Sequence, residues 1–406
     1  MGGQDTVLIV GGGQAGGQLA RQLLQESFSG RVILASDEEY LPYERPPLSK
    51  AVLKGSAAED SLFLCPAEEW AHTRIEIVAS DPVVEIDTGG KAARFASGRI
   101  ARYDTLVMAT GGGPRIPDIP GAEFAKVLRN LEHSRVLRAE LGRTAHIAII
   151  GGGVIGMEVA ATAAALGRQV TVIEAGARVM GRILPPAASA WLEDLHRSHG
   201  ATIMTNAAVT RIGPRDTGGF SVQLGDGFAV EADIILMAVG MTPNTALLPK
   251  DTIGHASGIV TDEYGRVCGY DGVYAVGDVA ESMNPLYGRH MRLETWRNAD
   301  RQAKAVARTI CGIETVHCEV PWMWSDQHER NIQVVGLWQA GADVVVRGAC
   351  GEPGSSLYWL EDGVVTGGVL IDNGRDRRFL EKMVETAARP SPEALADPAI
   401  ALKSLV

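Results

Sequence analysis

Two stretches of the chain repeat one pattern: an apolar run, three glycines, then an alanine- and leucine-rich run spaced as a helix. In the first, Thr6-Val7-Leu8-Ile9-Val10 leads into Gly11-Gly12-Gly13-Gln14-Ala15-Gly16 and on through Gln18 to Leu24. In the second, His146-Ile147-Ala148-Ile149-Ile150 leads into Gly151-Gly152-Gly153-Val154-Ile155-Gly156 and on through Met157 to Leu166. Apolar runs without alternation predict strands buried on both faces, as in a parallel sheet, and the run after each glycine cluster predicts a helix packed back on its strand.

In a G-x-G-x-x-G turn the first glycine permits the tight bend and the second lets backbone N–H groups approach a diphosphate. The third lets helix and strand close on each other. The helix N-terminus then faces the anion. One such motif is a weak signal. Two of them, 140 positions apart and each between strand and helix, predict two dinucleotide-binding folds.

Such a fold wants an acid at the end of its second strand to accept a ribose hydroxyl. Val170-Thr171-Val172-Ile173 ends at Glu174, which suits a free 2′-OH and repels a 2′-phosphate, favouring NADH over NADPH; Arg178 nearby leaves NADPH open. In the first copy Val32-Ile33-Leu34-Ala35 is followed by Ser36, with Asp37 and Glu38 displaced along the chain, and Asp37 takes the ribose role by position.

The run from Arg102 to Met108 predicts a strand ending in the turn Ala109-Thr110-Gly111, and Pro114, Pro117 and Pro120 then mark a crossover to a second domain. Asp233 to Asn244 repeats the pattern through Gly240. Gly272 to Asp278 reads as a strand returning to the first fold, so the second fold is an insertion in the first. From Pro321 on, β-rich runs such as Ile332 to Gly336 and Val364 to Leu370 precede a helical segment from Phe379 to Ala387, with a mobile tail expected after Pro390. The expected fold class is α/β: two Rossmann-like dinucleotide-binding domains, one built from 1–113 and 242–320 and the other from 114–241, plus a C-terminal α+β domain over 321–406.

At 406 residues the chain exceeds one ordinary core, as this division requires. A net charge of −11 argues against nucleic acid as a partner. No apolar run approaches the ~20 residues of a membrane span, and the first strand begins near the start of the chain, so the expected location is cytoplasmic. Five cysteines (Cys65, Cys268, Cys311, Cys318 and Cys350) include neither C-x-x-C nor a metal-ligand cluster, which argues against disulfide reduction. Against the acidic background, Arg289, Arg292, Arg297, Arg301 and Lys304 cluster with only Glu294 and Asp300 between them. They predict either a docking face for an acidic protein or a solvated helix face with i,i+4 pairs.

Taken together with Leu41-Pro42-Tyr43-Glu44-Arg45-Pro46-Pro47-Leu48-Ser49-Lys50, Tyr274 to Asp278, Glu294-Thr295-Trp296-Arg297-Asn298-Ala299 and Pro321-Trp322-Met323-Trp324-Ser325-Asp326-Gln327, these motifs resemble the NADH-dependent ferredoxin reductases of bacterial ring-hydroxylating dioxygenase and cytochrome P450 systems. The resemblance covers nearly the whole chain. It implies a glutathione-reductase-like arrangement in which an NAD domain is inserted in an FAD domain, with FAD contacted by Gly11, Gly13, Ala15, Gly16, Asp37, Arg45, Lys50, Val83, Ala109, Thr110, Gly111, Arg129, Asp278 and Trp296. NADH would lie on Gly151, Gly153, Val154, Ile155, Gly156, Glu158, Glu174 and Gly240. Lys50 and Glu158 are the implied catalytic pair: an ammonium near flavin N5, where reduction gathers negative charge, and the carboxylate that faces it. Trp322 and Trp324 are expected on the flavin side or partner side of the C-terminal domain.

The implied activity is hydride transfer from NADH to FAD, followed by single-electron transfer to a separate, transiently bound 2Fe–2S ferredoxin that feeds an oxygenase. No protein metal site is expected. Two other readings stay open: an NADH-dependent flavoprotein reductase of a small molecule, and an interaction flavoprotein switched by NADH.

Overall fold

The computed structural model describes residues 5–71 and 73–406, which form two compact units. The first takes the chain up to Arg45 with Glu59–Gly113 and Thr242–Glu319; the second takes Pro46–Ala58, Pro114–Met241 and Val320–Val406.

In the first unit a parallel sheet runs in the order Val273–Ala275, Thr105–Met108, Thr6–Val10, Arg31–Ala35, Ile75–Val78. Its central strand is apolar from Val7 to Val10 because both faces are covered: Leu8 lies opposite Ile33 and Leu106, all fully buried. The helix Gln14–Gln25 turns Ala15, Leu19 and Leu23 inward against Ala299, Ala303 and Val306 of the helix Trp296–Ile310. The returning strand Val273–Ala275 pairs with Thr105–Met108, so 242–319 completes the fold begun before the insertion.

The second unit repeats the design with a parallel sheet ordered Thr202–Met204, Gln169–Ile173, His146–Ile150, Ile234–Met237. Its helix Val154–Ala165 is buried almost all round from Gly156 to Ala163, because it packs on its own sheet and also on the strand Trp322–Gln327. That strand belongs to a five-stranded antiparallel sheet in the order Trp322–Gln327, Arg330–Gly336, Val364–Ile371, Ser356–Glu361, Asp343–Arg347, with the helix Arg377–Glu385 packed on it through Leu380 and Met383. The C-terminal sheet and the inserted fold share one core, in which Ile332, Val334, Leu357 and Trp359 join Ile147, Met157 and Val172.

Two sequence expectations change here. The segment Pro46–Ala58 clusters with the second unit, not with the residues that flank it, because Leu53 packs beside Leu137, Leu141 and Met157 while Ser134 and Thr162 donate hydrogen bonds to the carbonyls of Leu48 (2.7 Å) and Ser49 (2.8 Å). The tail after Pro390 is not loose. It forms a short helix, Pro392–Ala396, buries Leu395 and Leu402, and is clamped by buried Arg347, which donates to the carbonyls of Leu395 (3.0 Å), Asp397 (2.7 Å), Pro398 (3.3 Å) and Ile400 (2.6 Å).

Replacing Arg347 by alanine strands those carbonyls and is expected to cost about 2–4 kcal/mol of tail-docking stability. Amide hydrogen exchange over 391–404 should accelerate accordingly, with the parallel sheets unaffected.

Candidate functional site

Each parallel sheet ends its first strand in a cradle. Gly11 and Gly151 sit at φ +118° and +107°, where a side chain would run into the carbonyls of Ala109 and Ala238. A Cβ on Gly16 or Gly156 would meet the Gly11 or Gly151 carbonyl oxygen at 1.9 and 2.0 Å, so these glycines let the helix close on the turn. Gly153 faces open space, with nothing within 4 Å of an added Cβ, which leaves room for a diphosphate against the backbone.

The helices that follow start without a side-chain cap or a first-turn acid. Elsewhere in the chain Asn130 and Thr295 cap their helices by accepting from the amides of His133 (2.9 Å) and Asn298 (3.2 Å). The uncapped amides at Gly13 and Gly153 therefore suit an external anion. In the first cradle Gln14 is buried with neither amide atom hydrogen-bonded among the described residues. A polar group left so is costly unless a ligand supplies its partner.

The strand-end acids differ between the cradles. Glu174 accepts from the amides of Gly152 and Gly176, both at 2.7 Å, which fixes its carboxylate beside the turn. Arg178 donates to the Leu184 carbonyl and to Ser189 Oγ (3.0 Å), so its guanidinium is engaged by its own loop and the helix that follows. In the first cradle Ser36 occupies the place of Glu174: an added Cβ on Gly12 meets Ser36, as one on Gly152 meets Glu174. Asp37 is exposed, whereas half-buried Glu38 accepts from Tyr43 Oη (2.5 Å) and pairs with Arg45 (2.6 Å). Glu38 is thus the ordered carboxylate of that strand end, beside Arg45.

Gly277, at φ +74°, sits so close to Ala15 that a Cβ would come within 2.9 Å of the alanine's, and it brings the half-buried Asp278 to the same turn. Thr110 and Asn244 tie the two crossovers together: Thr110 Oγ1 donates to the Asn244 carbonyl (2.7 Å) and Asn244 Nδ2 to the Thr110 carbonyl (3.0 Å). Val83 and Ala109 are core residues of this unit, and Trp296 opens its last helix after the Thr295 cap. Lys50 and Arg129 belong to the second unit.

Within the second unit Lys50 Nζ is 3.1 Å from the buried Glu158 carboxylate and 3.4 Å from that of exposed Asp326, and it stands 5.5 Å over the Trp324 ring. Trp324 stacks on Trp322, which lies under Arg377. Ser49 donates to Glu158 Oε2 and Ser325 to Oε1 (2.7 Å). Burial pushes the Glu158 carboxyl above its ordinary range; Lys50 and the two serines oppose that push. Gly240, at φ +110° with nothing near an added Cβ, and Ile155, exposed in the first helical turn, lie open on the same unit.

The expected basic face is corrected. Arg297 does not reach the surface: it is 5% exposed and pairs with buried Glu319 at 2.6 Å. Arg292 pairs with Glu294, and Lys304 with Asp300 (2.8 Å). Arg289 stays exposed on its own short strand, while the exposed cations on the outer face of Trp296–Ile310 are Arg301, Lys304 and Arg308, each beside a carboxylate (Glu319 at 3.2 Å, Asp300 at 2.8 Å and Glu26 at 3.5 Å) and next to an open hollow of about 270 Å³.

Residues 5–303 match the family model described as pyridine nucleotide-disulphide oxidoreductase, and residues 322–406 the model described as reductase C-terminal. The chain belongs to the pyridine nucleotide-disulphide oxidoreductase family. Among its relatives it is 33% identical over 409 residues to the anthranilate 1,2-dioxygenase system ferredoxin–NAD(+) reductase component of Burkholderia cepacia, covering 99% of each chain. Among solved structures it is similar to the ferredoxin reductase for the CYP199A2 system from Rhodopseudomonas palustris (TM-score 0.93, 36% identity, 98% of this chain and 99% of that one). It is also similar to the reductase of the covalent putidaredoxin reductase–putidaredoxin complex (TM-score 0.93, 32% identity, 100% and 98%). Unlike the family's name, all five cysteines stand single: Cys65 is buried in the first core, and none is paired with another.

Sequence reasoning missed Gln14, Glu38, Ser49 and Ser325. Gln14 lies inside the glycine motif and Glu38 beside the expected Asp37, but which of two adjacent acids turns inward is a matter of backbone direction after the strand. Ser49 and Ser325 belong to motifs quoted for other reasons.

With the Glu174 carboxylate fixed and Arg178 turned away, Glu174→Ala should weaken NADH binding about tenfold, the loss of one charged hydrogen bond. NADPH binding should be unchanged or improved, and titration of both nucleotides checks it.

Proposed function

We propose that the protein is an FAD-dependent NADH:ferredoxin oxidoreductase that supplies single electrons to a 2Fe–2S ferredoxin of an aromatic-ring dioxygenase or cytochrome P450 system. The observation that carries this reading is a pair of dinucleotide cradles in a chain whose cysteines are all single. Reducing equivalents entering such a protein have no dithiol to pass through, and no group of ligands for a cluster is found among the described residues. The names of the chain-long relatives support the same assignment.

Bound FAD supplies the chemistry of accepting hydride and releasing electrons one at a time. The protein's residues do the rest. The amides at Gly13 and Gly153 hold the two diphosphates, Glu174 selects the free ribose of NADH, and Gln14, Arg45 with Glu38, and Asp278 order the FAD side. Lys50 offers an ammonium to the negative charge that reduction creates, and Glu158 keeps that ammonium in place.

Electron exit needs a docking partner, and the row Arg301, Lys304 and Arg308 favours an acidic one. No helix among the described residues is long and apolar enough to cross a membrane; a cytoplasmic site of action fits a reaction that draws on NADH.

The double variant Arg301→Glu with Lys304→Glu should lower kcat/KM for ferredoxin at least tenfold at low salt and flatten its salt dependence. NADH-driven reduction of ferricyanide should be unchanged. Equal loss with both acceptors would place the row outside the docking surface.

A further inference from the structure

Glu158 is joined to a second cluster of titratable groups that the proposed reaction does not use. His196, on the helix Pro186–Ser198, is fully buried, and its Nε2 lies 2.9 Å from Gln327 Oε1. Gln327 Nε2 lies 2.9 Å from Ser325 Oγ, which in turn lies 2.7 Å from Glu158 Oε1. Ser325 and Gln327 are also fully buried. Beyond His196, its Nδ1 is 3.3 Å from Nε2 of half-buried His328, whose ring stacks on exposed His199. The chain thus runs from an ion pair to the surface entirely within one unit.

Chemistry fixes the direction of every bond. An ionised carboxylate only accepts, so Ser325 donates to Glu158; its oxygen then accepts from the Gln327 amide nitrogen. That orientation turns the Gln327 oxygen toward His196, which must carry its proton on Nε2, and His196 Nδ1 then accepts from His328 Nε2–H. All four bonds donate toward Glu158. Aligned hydrogen bonds polarise one another in a low-dielectric interior and present their positive end to the carboxylate.

We propose that Ser325, Gln327 and His196 are positioning residues for the Lys50–Glu158 pair, forming a one-way hydrogen-bond chain that keeps Glu158 ionised and aimed at Lys50. The role given to the pair rests on the proposed function; the chain stands on its own geometry. The groups facing Glu158 are Lys50 and Ser49 from the Pro46–Ala58 segment and Ser325 from the C-terminal sheet, with Asp326 on the far side of Lys50. Burial alone drives Glu158 toward its neutral form, which would leave Lys50 with exposed Asp326 as its remaining partner. At the other end, burial pushes His196 down to about 4 and His328 to about 3, so both rings stay neutral, and His196 Nδ1 stays an acceptor, through the neutral range.

The test is an infrared pH titration of the flavin-loaded protein, with the protonated-carboxyl band of Glu158 identified by its absence in Glu158→Gln. Ser325→Ala should raise the midpoint of that band by about one pH unit, the loss of one hydrogen bond to a charged acceptor. Gln327→Met, which leaves the serine but cuts the chain behind it, should raise it by a smaller amount, and Ser325→Thr should restore the wild-type midpoint. A folded Ser325→Ala protein with an unmoved midpoint overturns the proposal, as does a Gln327→Met midpoint identical to wild type. Bleaching by NADH, followed on the same wild-type sample, reports separately on the proposed function, since its failure leaves the titration readable.

Discussion

Both cradles of this protein depend on one arrangement: a helix that begins at a glycine turn with nothing of its own to satisfy its first amides. Asn130 and Thr295 cap two other helices of the chain. At Gly13 and Gly153 no side chain meets the same need, and in the proposed function a diphosphate does so, approaching over the surrounding glycines. The parallel order of the strands follows from this need, since it places the turn, the helix start and the strand-end acid at one edge of each sheet.

A second constraint shapes the inserted unit. The helix after Gly153 is covered on both sides, so the carboxylate of Glu158 is buried where a neutral residue would be cheaper. The fold answers with a lysine from the Pro46–Ala58 excursion, a serine beside that lysine and a serine from the C-terminal sheet. Two segments distant in sequence converge on the charge of a third, consistent with the excursion and the C-terminal sheet clustering with the inserted fold and sharing its core.

Much of this was legible in the chain. Unbroken apolar runs marked the central strands, and the equivalence of Ser36 and Glu174 follows from their each standing directly after the second apolar run of its fold. Arg297 was not legible: it is spaced to share a face with Arg301, Lys304 and Arg308, but the segment carrying Glu319 covers the first turn of that helix and leaves the later turns open. The Pro46–Ala58 excursion carries no signal of where it packs, because a proline pair marks a turn and not its destination. Arg347 and Gln327 escape for a related reason. Each acts through partners 48 to 53 or 131 residues away, and neither spacing leaves a periodic trace.

The most direct measurement is anaerobic stopped-flow absorbance on the purified protein, mixed first with NADH and then with oxidised 2Fe–2S ferredoxin. The account predicts a bound flavin that bleaches rapidly with NADH and recovers its colour on adding two equivalents of ferredoxin per flavin, with NADPH far slower. A protein without flavin, or one that bleaches and is reoxidised by a disulfide or peroxide but not by ferredoxin, would contradict it.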